Sequence, residues 1–166
     1  MTTANGTLIG IARRPFSRAA MEEIGSGLVT LETGLDGDCK GAKFPNRQIT
    51  VLAREDWDAA LNDLAGIAGP PDLPWIVRRA NLLVEGVRLP RAKGAVLAIG
   101  PVMLEVTGQT NPCYRMQEAY RGLLGALHPN WRGGVTCKVL HGGEIRIGDA
   151  ASVVSSPVER QITLPG

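Results

Sequence analysis

Aromatic side chains make up only 4% of this 166-residue chain. That removes the stacking platforms on which single-strand nucleic-acid binders depend. Charge of one sign is missing too: 18 Lys and Arg stand against 16 Asp and Glu, a formal net charge of +2, which gives no long-range pull toward nucleic acid or an acidic membrane. Cysteine is scarce, with three residues and no CxxC spacing. An odd, widely spaced set excludes a disulfide framework and a zinc ribbon, so the thiols are expected to be reduced and the compartment cytoplasmic. No apolar run reaches the length of a membrane span, and MTTANGTLIGIARR lacks the basic region, apolar run and cleavage site of a leader. The expectation is a soluble, unprocessed protein with neither membrane nor nucleic-acid partner. GxSxG, HExxH and a strand-to-helix GxGxxG are absent as well. The two histidines, His128 and His141, sit beside turn residues, and no spacing demands that either activate a cysteine.

What is present is β-type alternation punctuated by glycine and proline. GAVLAIGPVMLEVTG reads as two strands joined at Gly100-Pro101, and GVTCKVLHGGEIRIGD as two more joined at a Gly142-Gly143 turn able to adopt positive φ. TLIGIA, GLVTLE, RQITVLA and RANLLVEG add four, for about eight short strands. That count argues against a sheet wound on helices. Two helices are expected: one near Asp56 to Leu64 with Glu55 and Asp56 in its first turn, and one opening at Pro112 with Met116, Ala119, Tyr120, Leu123 and Leu127 on its buried face. The fold class is mainly β, a closed or nearly closed barrel with about two helices packed on it. AGIAGPPDLP is a loop and SSPVERQITLPG a frayed tail.

The stretch VTGQTNPCYRM carries the most chemistry. Asn111 suits the N-cap and Pro112 the first helical position, which leaves Cys113 among unpaired backbone N–H groups at the positive end of the helix dipole. A thiol there ionises more easily. The alternative, a buried filler cysteine, stays open at this point. Fourteen of the basic residues are Arg, whose planar fork grips phosphate or carboxylate through two hydrogen bonds. GLDGDCKG is a glycine-rich loop presenting Asp38, Cys39 and Lys40, without the spacing of a phosphate loop. NRQIT sets Arg47 to meet an anion and Gln48 a heterocycle edge. RRAN places Arg79 and Asn81 on one face by alternation. WRGGV puts Arg132 ahead of two glycines whose backbone N–H groups form a potential anion nest. Cys137, alternating with Val135 and Val139, is expected in the core.

Taken in order, GLDGDCKG, RQITVL, RRANLLVEG, GAVLAIGPVMLEVTG, TNPCYRM and WRGGVTCKVLHGGEIRIGD resemble the MOSC family, named for the molybdenum-cofactor sulfurase C-terminal domain, in its small stand-alone bacterial form. The resemblance runs from about Gly6 to Val154. It implies a MOSC domain over 1–156 with a flexible tail over 157–166, a β-barrel, and a site for a molybdenum cofactor of molybdopterin type. Cys113 matches the family's thiolate ligand to molybdenum and would be the catalytic residue. Arg79 and Asn81 match its Arg-x-Asn segment, read as grips on the cofactor's phosphate and pterin, and Asp38, Lys40, Arg47, Thr107, Asn111 and Arg132 follow as cofactor-binding candidates. The larger relatives that reduce N-hydroxylated compounds add an N-terminal barrel domain that helps cover the cofactor, for which this chain has no room. Two functions are implied: an oxidoreductase that removes oxygen from N-hydroxylated bases or similar small-molecule substrates, with electrons from a separate reductase, or a carrier of a persulfide or of the cofactor on Cys113. Cys39 would serve either as a second thiol that resolves a persulfide or as a plain loop residue. Oligomeric state stays open.

Overall fold

The structure, a computed structural model, describes residues 5–157. In chain order it contains β1 (Gly6–Arg13), β2 (Glu22–Glu23), β3 (Ser26–Thr30), β4 (Gly34–Leu35), β5 (Ile49–Ala53), α1 (Arg54–Asp63), a 3-10 turn (Trp75–Arg78), β6 (Leu82–Glu85), β7 (Val96–Ile99) and β8 (Val102–Gln109). There follow α2 (Tyr114–Ala119), α3 (Leu123–Leu127), a second 3-10 turn (Pro129–Trp131), β9 (Val135–His141), β10 (Gly143–Arg146) and β11 (Ala150–Ser155). Seven strands, in the order β11-β7-β8-β9-β5-β6-β1, close on themselves where Gly6 and Thr7 pair with Ala151 and Ala150. This is the expected barrel. The expected tail lies outside the described residues from position 158 onward.

Alternation drives the closure. Val102, Leu104 and Val106 of β8 point inward, as do Leu97 and Ile99 of β7, and they meet Leu8, Val51, Leu82 and Cys137 in one apolar interior. Each such side chain contributes about 1.5–3 kcal/mol by leaving water. Cys137 is fully buried, as its alternation implied, and burial pushes its thiol pKa up, so it stays protonated. Strand β5 is covered on both sides: Ile49, Val51 and Ala53 face the interior, while Leu52 faces a second core built with Trp57, Leu61, Met116, Leu123 and Leu127 of the helices. The β5–β6 pair is parallel, Val51 opposite Leu82, and α1 supplies part of the crossover that such a pair requires.

Two local expectations are corrected. Gly142-Gly143 is not a hairpin turn: β10 leaves the barrel and pairs with β3, Ile145 opposite Gly27, in a separate three-stranded sheet with β4. A side chain at Gly142 would meet the Val29 carbonyl oxygen at 2.5 Å, so glycine here permits two backbones to pass closely. The second expected helix divides in two. Tyr120 is extended (φ −158, ψ 127) and Gly122 adopts φ 93, so Met116, Leu123 and Leu127 are buried while Ala119 and Tyr120 are not. The Gly100-Pro101 hairpin forms as expected, with Ile99 opposite Val102.

Candidate functional site

At the C-terminal end of β8 a cavity of about 730 Å³ opens between the loop after β1, the loop before β5, the 3-10 turn before β6 and the start of α2. Seven basic side chains line it: Arg14, Lys40, Arg47, Arg78, Arg79, Lys93 and Arg115. Among the described residues no Asp, Glu or His does. Cys113 stands in the same wall and is exposed.

Arg78 is the deepest of the seven, only 5% exposed. Its Nε donates to the Gly133 carbonyl and its Nη2 to that of Thr110, each at 3.0 Å. A Cβ on Gly133 would lie 2.5 Å from the Thr110 oxygen, so that glycine is what lets the two carbonyls converge on one guanidinium. Burial pushes the Arg78 pKa down to about 10, opposed by the nearby Cys113 thiol, so the side chain remains a cation at neutral pH. Arg79 follows in the left-handed region (φ 65, ψ 29) and donates to the Ala19 carbonyl at 3.1 Å. Its pKa is also lowered, first by burial and then by Arg14 and Arg115, with Cys113 and Cys39 acting in the opposite direction. The Cys113 sulfur thus sits close enough to two guanidinium groups to interact electrostatically with both.

The local account of Cys113 differs from the expected one. Cys113 is itself the N-cap residue of α2, with extended backbone (φ −114, ψ 173), and Asn111 and Pro112 precede the helix rather than open it. The six residues of α2 form a short helix. The surrounding arginines, more than a helix end, are what the thiol experiences.

Among the other sequence candidates, Lys40, Arg47, Arg79, Thr107 and Asn111 line the cavity. Burial and then Arg14 lower the Lys40 pKa. Arg47 lies 5.1 Å over the Phe44 ring, a cation–π contact. Thr107 Oγ1 bonds the Asn46 carbonyl and, at 2.8 Å, Thr136 Oγ1, tying β8 to the loop before β5. Three candidates lie outside the lining. Asp38 is 8% exposed and accepts the backbone N–H groups of Arg14 and Lys40, so it shapes the loop that delivers Lys40. Asn81 is buried: its Oδ1 accepts from Thr50 N–H at 3.0 Å and its Nδ2 donates to the Ala12 carbonyl. Because Arg79 is left-handed and precedes β6, simple alternation does not put it on one face with Asn81. Arg132 pairs with Asp63 of α1 and donates to the Ala126 carbonyl. No anion nest forms behind it, since the N–H groups of Arg132 and Gly134 donate to Pro129 and Trp131. Gln48 is likewise committed, donating to the Leu31 carbonyl and accepting from Val139 N–H. Cys39 is half-buried and outside the lining.

Sequence reasoning missed Arg14, Arg78, Lys93, Arg115 and Trp131 as cavity residues. Tandem Arg78-Arg79 was visible, and both line the cavity, Arg78 buried and the left-handed Arg79 half-buried. No cluster of three His, Cys, Asp or Glu exists among the described residues, so a metal here would have to bring most of its ligands with it. Among the described residues no helix is long and apolar enough to cross a membrane.

Comparison with known proteins agrees with this architecture. The structure of the YuaD protein from Bacillus subtilis superposes with a TM-score of 0.67 at 19% identity, covering 90% of this chain and 94% of that one. YiiM from Escherichia coli gives 0.64 at 16% identity over 92% and 72%, and YiiM from Geobacillus stearothermophilus 0.61 at 15% over 90% and 73%. At these identities the likeness is one of fold. No curated protein matches the sequence. The MOSC domain model matches residues 36–152, more than half of the chain, and the protein therefore belongs to the MOSC domain family, which is generally associated with molybdenum-cofactor binding.

Proposed function

We propose that this protein binds a molybdopterin-type cofactor in the cationic cavity, with Cys113 as the one protein ligand to molybdenum, and reduces N-hydroxylated substrates there. The observation that carries the reading is the lining itself: seven cations, no carboxylate and one exposed thiol around about 730 Å³. The residues fit such a group. Thr110 Oγ1 is buried in the cavity wall without a hydrogen-bond partner, a donor or acceptor awaiting a ligand atom. A lone thiolate with no neighbouring His or carboxylate ligands suits a soft metal that arrives with its own dithiolene sulfurs.

When bound, the cofactor supplies two-electron oxygen-transfer chemistry. The chain's own part is to hold and orient. Arg78 and Arg79 offer N–H groups to phosphate beside Cys113, and Lys40 and Arg14 extend that anion-binding wall. Electrons would come from a separate reductase. The competing reading, a persulfide or cofactor carrier, uses the same thiol and draws support from its exposure. As a persulfide carrier it would leave most of the cations without a use.

Molybdenum and pterin content of protein purified from a cofactor-producing host separates the two. Near-stoichiometric molybdenum and pterin are expected, with molybdenum lost in Cys113→Ser while the fold persists, because the side chain is exposed. Absence of both, together with a reducible extra sulfur on Cys113, would replace this proposal with the carrier.

A further inference from the structure

The cavity holds more positive charge than one cofactor phosphate needs, and the surplus has its own place. Arg78 and Arg79 are the cations coupled to Cys113. Arg47 and Lys93 belong to a different part of the wall: Arg47 stacks on Phe44 beside Asn46, whose carbonyl meets Thr107, and the Lys93 Cε lies 3.9 Å from where a Cβ of Gly108 would stand. Neither Arg47 nor Lys93 pairs with a carboxylate among the described residues. Phe44 and Trp131, two of the chain's seven aromatic residues, line the cavity with them. A phosphate monoester carries about −1.5 to −2 at neutral pH, which leaves several of the seven cations unanswered by the cofactor.

We infer that Arg47, Lys93 and Phe44 form a subsite for a substrate that joins a planar ring to a phosphate, a ligand of nucleoside monophosphate type. The inference rests on the proposed cofactor reading and narrows its substrate class. The flat guanidinium, held against Phe44, presents its N–H edge to phosphate through paired hydrogen bonds, and Lys93 adds a mobile point charge. The aromatic walls take the ring by stacking, which tolerates any base.

The test is calorimetric titration of the purified protein, its molybdenum and pterin content measured in parallel, with adenosine monophosphate, adenosine and ribose 5-phosphate. Adenosine monophosphate is expected to bind at least about tenfold more tightly than adenosine, with ribose 5-phosphate intermediate. Arg47→Ala and Lys93→Met should each remove most of that advantage, and Lys93→Met should leave pterin content unchanged. Equal binding of nucleotide and nucleoside overturns the subsite, as does loss of pterin in Arg47→Ala, which would return Arg47 to the cofactor. If the protein carries no pterin, the cofactor reading fails by itself. The subsite then survives only if nucleotide binding still depends on Arg47 and not on Arg79, tested with Arg79→Ala.

Discussion

The arginines on the outside of this protein and those in its cavity live in opposite surroundings. On the outside, Arg54 reaches Glu85 at 3.5 Å, Arg13 reaches Glu22 at 3.5 Å, Arg146 reaches Glu144 at 3.1 Å, and Arg132 pairs with Asp63. In the cavity the basic side chains meet carbonyls, an aromatic ring or one another. A chain of formal charge +2 thus places seven cations around one space and leaves its remaining surface net acidic. Net charge conceals such a division. What matters for an anionic ligand is the field where it binds, and a concave wall of one sign concentrates that field.

Arg78→Met tests the cavity's cations most severely. Two charge-assisted hydrogen bonds to carbonyls are worth about 1.5–3 kcal/mol each, partly offset by relief of a buried charge, so the ligand-free protein should lose about 2–3 kcal/mol. Urea unfolding reads that loss, and pterin content should fall with it. Full stability in the variant would mean that Arg78 is not what joins the Thr110 and Gly133 segments.

Arg132→Ala probes the other side. Its pair with Asp63 is partly exposed, which points to a loss of about 1 kcal/mol. Pterin content should stay unchanged. A drop in pterin would return Arg132 to the site that the resemblance assigned it.

This contrast also marks where the sequence was readable. Strand period is local information, so the barrel, the Gly100-Pro101 hairpin and the burial of Cys137 followed from alternation alone. Lys40 and Arg47 sit in turns beside strands, where side chains are free to converge, and Cys113 at the start of a helix, whereas Thr107 and Asn111 were placed only by the family resemblance; all five line the cavity. The candidates that lie outside the lining share a feature. Asp38, Asn81, Gln48 and Arg132 have the chemistry of ligand-binding groups, but backbone groups or an acid distant in sequence claim them first, and sequence spacing carries no record of those partners. Arg78 was missed for the converse reason. Its carbonyl partners, Thr110 and Gly133, lie 32 and 55 residues away, and only the closed barrel brings them together. The Gly142-Gly143 pair misled because glycine serves close backbone approach as readily as it serves turns.

The smallest expected effect is also the most diagnostic, because its sign is unusual. Lys40 has its pKa lowered from the ordinary 10.5 by burial, then by Arg14, with Arg79 and Arg78 adding and Asp38 opposing. The folded protein therefore disfavours the charged lysine relative to the unfolded chain. At pH 7 that penalty is fully present, and it is relieved as pH rises through the lowered pKa toward 10.5. Lys40→Met removes the charge, so without ligand the variant should be more stable than wild type at pH 7, with the difference shrinking as pH approaches 10.5. Added phosphate should reverse the order, because an anion that binds only the folded protein stabilises it in proportion to its affinity, and the wild type binds it better. Thermal unfolding at several pH values, with and without phosphate, measures both effects. A variant less stable than wild type at pH 7 in an anion-free buffer would show that Lys40 is held by partners of its own, as the outer arginines are, and would move it from the cavity's group to theirs.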